Sequence, residues 1–165
     1  MRLIELVKTS IKDRKDIIEF VNRYANEYKS RQTLSSTLFE GVKENSFYEI
    51  KKALYKVLSQ TVVVLESMDS ETTRGYYMDS KKIIALNPHT FNPGTIVHEM
   101  THALQYELGY NFDEYISYSV DKDNYKDYRY QLTEYEAFMM GNSWGSYATP
   151  IRRYIKKQIK KGLAI

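Results

Sequence analysis

The stretch Thr95–Tyr110, TIVHEMTHALQYELGY, constrains this chain more than any other, because it sets His98, Glu99 and His102 in the spacing H-E-x-x-H. With 3.6 residues per turn, positions i and i+4 of a helix project from one face a turn apart, so two imidazoles there can grip one tetrahedral metal ion. Glu99 is displaced far enough around the helix to miss the ion and to reach water beside it. The flanking residues favour a helix. Asn92 suits the N-cap, Pro93 suits the first helical position where its missing N–H costs nothing, and Gly109 suits the C-terminal stop. Val97, Met100, Leu104 and Leu108 make an apolar stripe, and His98, His102, Gln105 and Tyr106 a polar one. One side is expected to be buried and the other to line a cleft.

Two histidines do not complete a catalytic zinc site, which has three protein ligands and an open position. The chain has no cysteine, so the third ligand is not a thiolate and there is no disulfide framework. The one remaining histidine, His89, lies upstream of the motif. A downstream acid is the better candidate: Asp113, Glu114, Asp121, Asp123, Asp127, Glu134 or Glu136. The last two begin a predicted helix, TEYEAFMMG, that ends near Gly141. Thr133 and Glu136 fit a capping box, which would occupy Glu136 and leave Glu134 free, since residues at i and i+2 do not share a face.

The rest of the chain predicts an α+β fold with a small mixed or antiparallel sheet. Residues 13–28 carry Ile17, Ile18, Val21, Tyr24, Ala25 and Tyr28 at helical spacing, and residues 42–59 carry Phe47, Ile50, Leu54, Val57 and Leu58. Both read as scaffold helices. TVVVLES from Thr61 reads as a strand buried on both faces, followed by a hairpin of 74–78 and 81–86 about a tight Asp79-Ser80 turn. The strand KKIIALN, directly before the motif helix, has two readings: it lies along the cleft and pairs with an extended peptide, or it is an ordinary edge or central strand. Residues 110–129 have no clear period and read as a long loop with a short helical turn, suited to a cleft wall.

Length predicts one domain over 1–165, with a helical N-terminal part (1–60), a core (61–141) and a basic terminal helix (150–165). That last segment carries +6 of the chain's net +3, leaving −3 on the preceding 149 residues. Its apolar stripe of Ile151, Tyr154, Ile155 and Ile159 reads as a docked helix with a solvated basic face, with an anionic partner as the second reading. No signal-peptide pattern and no bilayer-length apolar run is present, so a cytoplasmic location is expected, or export by a route without an N-terminal signal. Oligomeric state is not readable.

His98-Glu99-x-x-His102 followed by Glu134-x-x-Ala137 resembles the gluzincin branch of zinc metallopeptidases, in their minimal thermolysin-like core. It is also similar to small bacterial and phage regulatory zincins. The resemblance covers Thr61 to Gly141 and implies a single-domain zincin-like fold, Zn²⁺ on His98, His102 and Glu134, a substrate-binding edge in the GYY…IIAL hairpin, and peptide-bond hydrolysis of a protein or peptide with Glu99 as general base. A loop tyrosine (Tyr125, Tyr128 or Tyr130) or His89 is the candidate donor to the reacting carbonyl oxygen. The sequence departs from the pattern at Phe138, where many thermolysin-like enzymes carry an Asp that orients a histidine; that partner is then expected from an acid in 111–127 or a backbone carbonyl. The competing expectation is a zinc-binding regulatory module of the same fold without turnover, for which a fourth protein ligand would speak.

Overall fold

The structure, a computed structural model, describes residues 21–30, 47–69 and 72–143. The expectations for residues 13–20, 42–46, Gly145, Pro150 and the basic segment 150–165 fall outside the described residues. The elements in chain order are α1 (21–30), α2 (Phe47–Gln60), β1 (Val62–Leu65), β2 (Gly75–Met78), β3 (Ile83–Leu86), α3 (Pro93–Glu107), α4 (Tyr125–Tyr130) and α5 (Leu132–Ser143). The class is α+β.

The three strands form one mixed sheet in the order β1-β3-β2, with β1 parallel and β2 antiparallel to β3. The strand in KKIIALN is therefore the centre of the sheet. Both of its edges are paired, so it cannot offer backbone to a peptide; the peptide-pairing reading is corrected in favour of the central strand, and the edge that borders the cleft is β2. β1 departs from its expectation too, since Val63 and Leu65 are buried while Val62 and Val64 are partly exposed, the alternation of an edge strand covered on one face. Between β2 and β3 the chain makes a 3₁₀ turn over Asp79–Lys81 and passes through a left-handed residue, Lys82 at φ 52°, a longer connection than the two-residue turn expected.

The motif helix α3 is capped as its sequence requires. Asn92 Oδ1 accepts from the Thr95 N–H at 3.0 Å and Thr95 Oγ1 accepts from the Asn92 N–H at 3.1 Å. At its other end Gly109 sits at φ 82°, the Gly109 N–H donates to Tyr106 O and the Tyr110 N–H donates to Gln105 O. This is a Schellman stop, for which a left-handed glycine is the natural residue.

Ile96, Val97, Met100, Ala103 and Leu104 of α3 form the centre of the core. They join Ile50, Leu54, Val57 and Leu58 of α2, Val21, Tyr24 and Ala25 of α1, and Ile84 and Leu86 of β3. Each large aliphatic side chain buried this way contributes about 1.5–3 kcal/mol. Gly141, expected to end α5, instead lies inside it: a Cβ there would stand 2.8 Å from the Gly94 carbonyl oxygen, and one on Gly94 would stand 2.7 Å from that of Gly141. The two glycines let α3 and α5 cross backbone to backbone, and that crossing brings Glu134 beside the two histidines. Among the described residues no helix is long and apolar enough to cross a membrane.

Candidate metal centre

His98 and His102 leave the same face of α3, with rings 4.8 Å apart and nearly perpendicular. Their Nε2 atoms are 3.2 Å apart. Glu134, on the first turn of α5, points into the gap: Oε2 is 3.2 Å from His98 Nε2, and Oε1 is 3.1 Å from His102 Nε2. The ligand atoms of the three residues lie within 4.8 Å of one another, and among the described residues this is the one group of three or more His, Cys, Asp or Glu side chains so arranged.

Three observations test whether a metal fits. Zinc bonds of the usual length in a tetrahedral site imply donor–donor edges of roughly 3.3 Å, close to the three separations here. Two imidazoles and a carboxylate are the donor types that suit zinc. Glu134 Oε2 is buried with His98 Nε2 3.2 Å away and no hydrogen bond of good geometry, an expensive arrangement for a carboxylate unless a cation faces it. The group can therefore hold a metal ion.

Electrostatics agree that this is a charge cluster. Burial works against an ionised Glu134, yet the bonds from His102 and His98 outweigh it and hold the carboxyl well below the ordinary range. Burial likewise opposes a charged His102, but its bond to Glu134 and the charge of Glu99 push it up to about 9. Glu99 is pushed up by burial, against the pull of His98 and His102. Its Oε1 lies 4.0 Å from His98 Nε2, and it accepts from the backbone N–H of Tyr77, so the motif carboxylate is tied to β2.

Two cavities reach the cluster, the larger at His98 and the smaller at all three residues. A cavity of about 830 Å³ runs past Thr95, Phe138 and Asn142, and one of about 310 Å³ past Tyr77, Tyr106 and Phe112. Both are lined by Gly75, His98, Glu99, Tyr115 and Tyr128. The Arg74 carbonyl accepts from Asn87 across the sheet, so the alternation of β2 turns the backbone groups of Gly75 and Tyr77 away from β3, toward the outer edge.

The remaining expected residues separate clearly. Tyr128 belongs to the site and bonds to Glu134; Tyr125 lines the larger cavity only. Tyr130 is exposed and packs against Tyr135, and His89 is exposed in the turn after β3; neither lines the cleft. The loop acids are not part of the cluster. Glu136 does not form the expected capping box. α5 begins at Leu132, one residue before the presumed cap, and the Glu136 carboxylate is buried, accepting from Tyr28, Tyr110 and Gln105.

Sequence reasoning missed Tyr115, whose hydroxyl donates to Glu134 Oε1 at 2.5 Å. It also looked in the wrong place for the partner of His102. That partner is Gln105, one turn on in the same helix, at 2.9 Å from His102 Nδ1. Its position on the polar stripe was the available signal. His98 is held by the ring of Phe138 at 4.5 Å, on the side where the resemblance leads one to look for an acid. No protein-family model, curated protein or solved structure matches the chain.

Proposed function

We propose that this chain is a zinc-dependent peptidase of gluzincin type, with His98, His102 and Glu134 as the ligands and Glu99 as the general base. The observation that carries this reading is the joint placement of His98, His102 and Glu134 with a further carboxylate, Glu99, where they line a cavity of about 310 Å³. Held by His98, His102 and Glu134, zinc would supply a Lewis acid and make water at the site more acidic.

The chain's own residues supply the rest. Glu99 is buried beside the ligands, and burial raises its proton affinity toward that of a useful acid–base group. It takes a proton from water and returns it to the departing amine. Tyr115 and Tyr128 keep their phenol protons because burial, and then the Glu134 carboxylate, pushes both pKa values up; each now donates its one O–H to Glu134 and would have to turn that bond toward the substrate to meet charge developing on a carbonyl oxygen. The outer edge of β2 at Gly75 gives an extended peptide a backbone to pair with. A cleft that recognises backbone fits a protein or peptide substrate.

Among the described residues the cluster has three ligands and no fourth His, Asp or Glu, which favours turnover over a closed regulatory site. The test is metal-dependent cleavage of a mixed peptide library read by mass spectrometry. Cleavage should disappear with a chelator and return with zinc. A zinc-loaded protein that leaves every peptide intact would rule the enzyme out in favour of the module.

A further inference from the structure

Gln105 carries an amide whose orientation is dictated by its surroundings. Its nitrogen is 3.0 Å from the Thr133 backbone carbonyl and 3.0 Å from Glu136 Oε1, two groups that accept. Both N–H bonds are spent there, so the amide oxygen is the atom that faces His102 Nδ1. The reverse orientation would set an oxygen lone pair against a carbonyl and a carboxyl oxygen at the same time. An oxygen facing Nδ1 requires the proton on Nδ1, and that leaves Nε2, the atom turned toward His98 and Glu134, to donate its lone pair.

The group that holds Gln105 is itself held from elsewhere in the chain. Glu136 Oε1 accepts from the Tyr28 hydroxyl at 2.7 Å and from the Tyr110 hydroxyl at 2.9 Å, and the two phenols lie 2.6 Å apart. Tyr28 and Gln105 are fully buried and Glu136 nearly so. Tyr28 comes from α1, Tyr110 from just beyond the α3 stop, and Glu136 from α5. Tyr28, Tyr110 and Gln105, from three separate parts of the chain, thus converge on the one carboxylate of Glu136.

We infer that Gln105 is the positioning residue for His102, clamped by Thr133 and by Glu136, which Tyr28 holds in turn, so that α1 forms part of the support of the metal centre and is not merely a scaffold. The inference rests on the metal-site reading given above. It assigns to a neutral amide, inside the motif helix, the orienting work that an acid outside it would otherwise perform.

The experiment compares zinc affinity, by competition with a chromophoric chelator, in the full chain and in Gln105→Met and Gln105→Glu. Gln105→Met removes the acceptor at similar size and should weaken zinc binding about 10- to 100-fold. Gln105→Glu keeps an oxygen toward Nδ1 while losing the two donors. It should stay within a few-fold of wild type in zinc affinity and lose stability instead. Equal affinity in wild type and Gln105→Met, or equal loss in both variants, would overturn the inference.

Should either variant fail to fold, ¹⁵N NMR of wild-type imidazoles decides. A slowly exchanging proton on His102 Nδ1 in the zinc-loaded protein is expected, and a proton on Nε2 or rapid exchange at Nδ1 contradicts it. Failure of the wild type to bind zinc would sink the metal reading alone, because the metal-free protein must still show Nδ1 protonated toward Gln105.

Discussion

Replacing Gly141 by Ala perturbs the candidate metal site without substituting any of its three residues. The added methyl would stand 2.8 Å from the Gly94 carbonyl oxygen and 3.3 Å from His98 Cβ, whereas ordinary contacts begin at 3.4 Å. Relief requires α5 to withdraw from α3 by up to 0.6 Å, the difference between 3.4 and 2.8, because the obstacle is backbone and cannot rotate away. Overpacking of this kind costs about 1–3 kcal/mol. The helix propensity of Ala over Gly returns about 1 kcal/mol, so the net loss of stability is small, about 0–2 kcal/mol. The effect on the metal should be larger in proportion. Glu134 stands two turns before Gly141 on the same helix, and a ligand set tolerates displacements of about 0.2 Å, so a shift two to three times that size should weaken zinc binding roughly tenfold or more. The assay is zinc competition together with urea unfolding. Gly109→Ala serves as the control: it is strained by φ 82° but has open space around it, so it should lose about 1 kcal/mol of stability and keep its zinc affinity. A Gly141→Ala protein with wild-type zinc affinity would refute the claim that this crossing sets the position of Glu134.

Three further outcomes follow from the geometry. Glu134→Ala should lose zinc binding, while Glu136→Ala should retain a weakened site and lose about 1–3 kcal/mol for each buried donor left unpaired; full zinc retention in the first with complete loss in the second would reverse the ligand assignment. Tyr128→Phe should lower kcat by about 10²–10³ with zinc content unchanged, measured on the best peptide from the library, and an unchanged kcat would remove Tyr128 as a donor. Unfolding in alkali should show the buried phenols: burial raises the Tyr24 and Tyr28 pKa values well above the ordinary value in the folded chain. Their contribution is intact below the unfolded pKa of about 10 and declines above it by about 1.4 kcal/mol per pH unit for each phenol, so Tyr28→Phe should flatten the slope of stability against pH between 10 and 11, and an unaltered slope would count against it.

The site was legible where chemistry depends on local spacing. His98, Glu99 and His102 are fixed by helical periodicity, and Asn92, Pro93 and Gly109 fix where that helix starts and stops. Glu134 does lie beside the two histidines, but not for the reason that the sequence offered. The capping box that was to occupy Glu136 does not form, and Glu136 is engaged by a buried network instead. That network joins residues as far apart as Tyr28 and Glu136, a pairing created by tertiary packing and carried by no short-range pattern.

The sheet shows the same division. The existence of the strands follows from β-branched runs, but their order does not. The apolar content of IIAL is as compatible with an edge strand as with the centre it occupies, and only the β1-β3-β2 order transfers the cleft edge to β2. Gly141 looked like punctuation because a glycine late in a helical pattern usually is. Its role as a crossing point depends on Gly94, 47 positions earlier, and that partner is visible only in three dimensions.

The central claim, zinc-dependent peptide hydrolysis with Glu99 as the base, is tested most directly by Glu99→Gln. The substitution keeps size and removes the ability to carry a proton. Glu99→Gln should bind one zinc per chain, as in the wild type, and cleave peptide at least about 100-fold more slowly. Cleavage by zinc-loaded Glu99→Gln at the wild-type rate would contradict the claim.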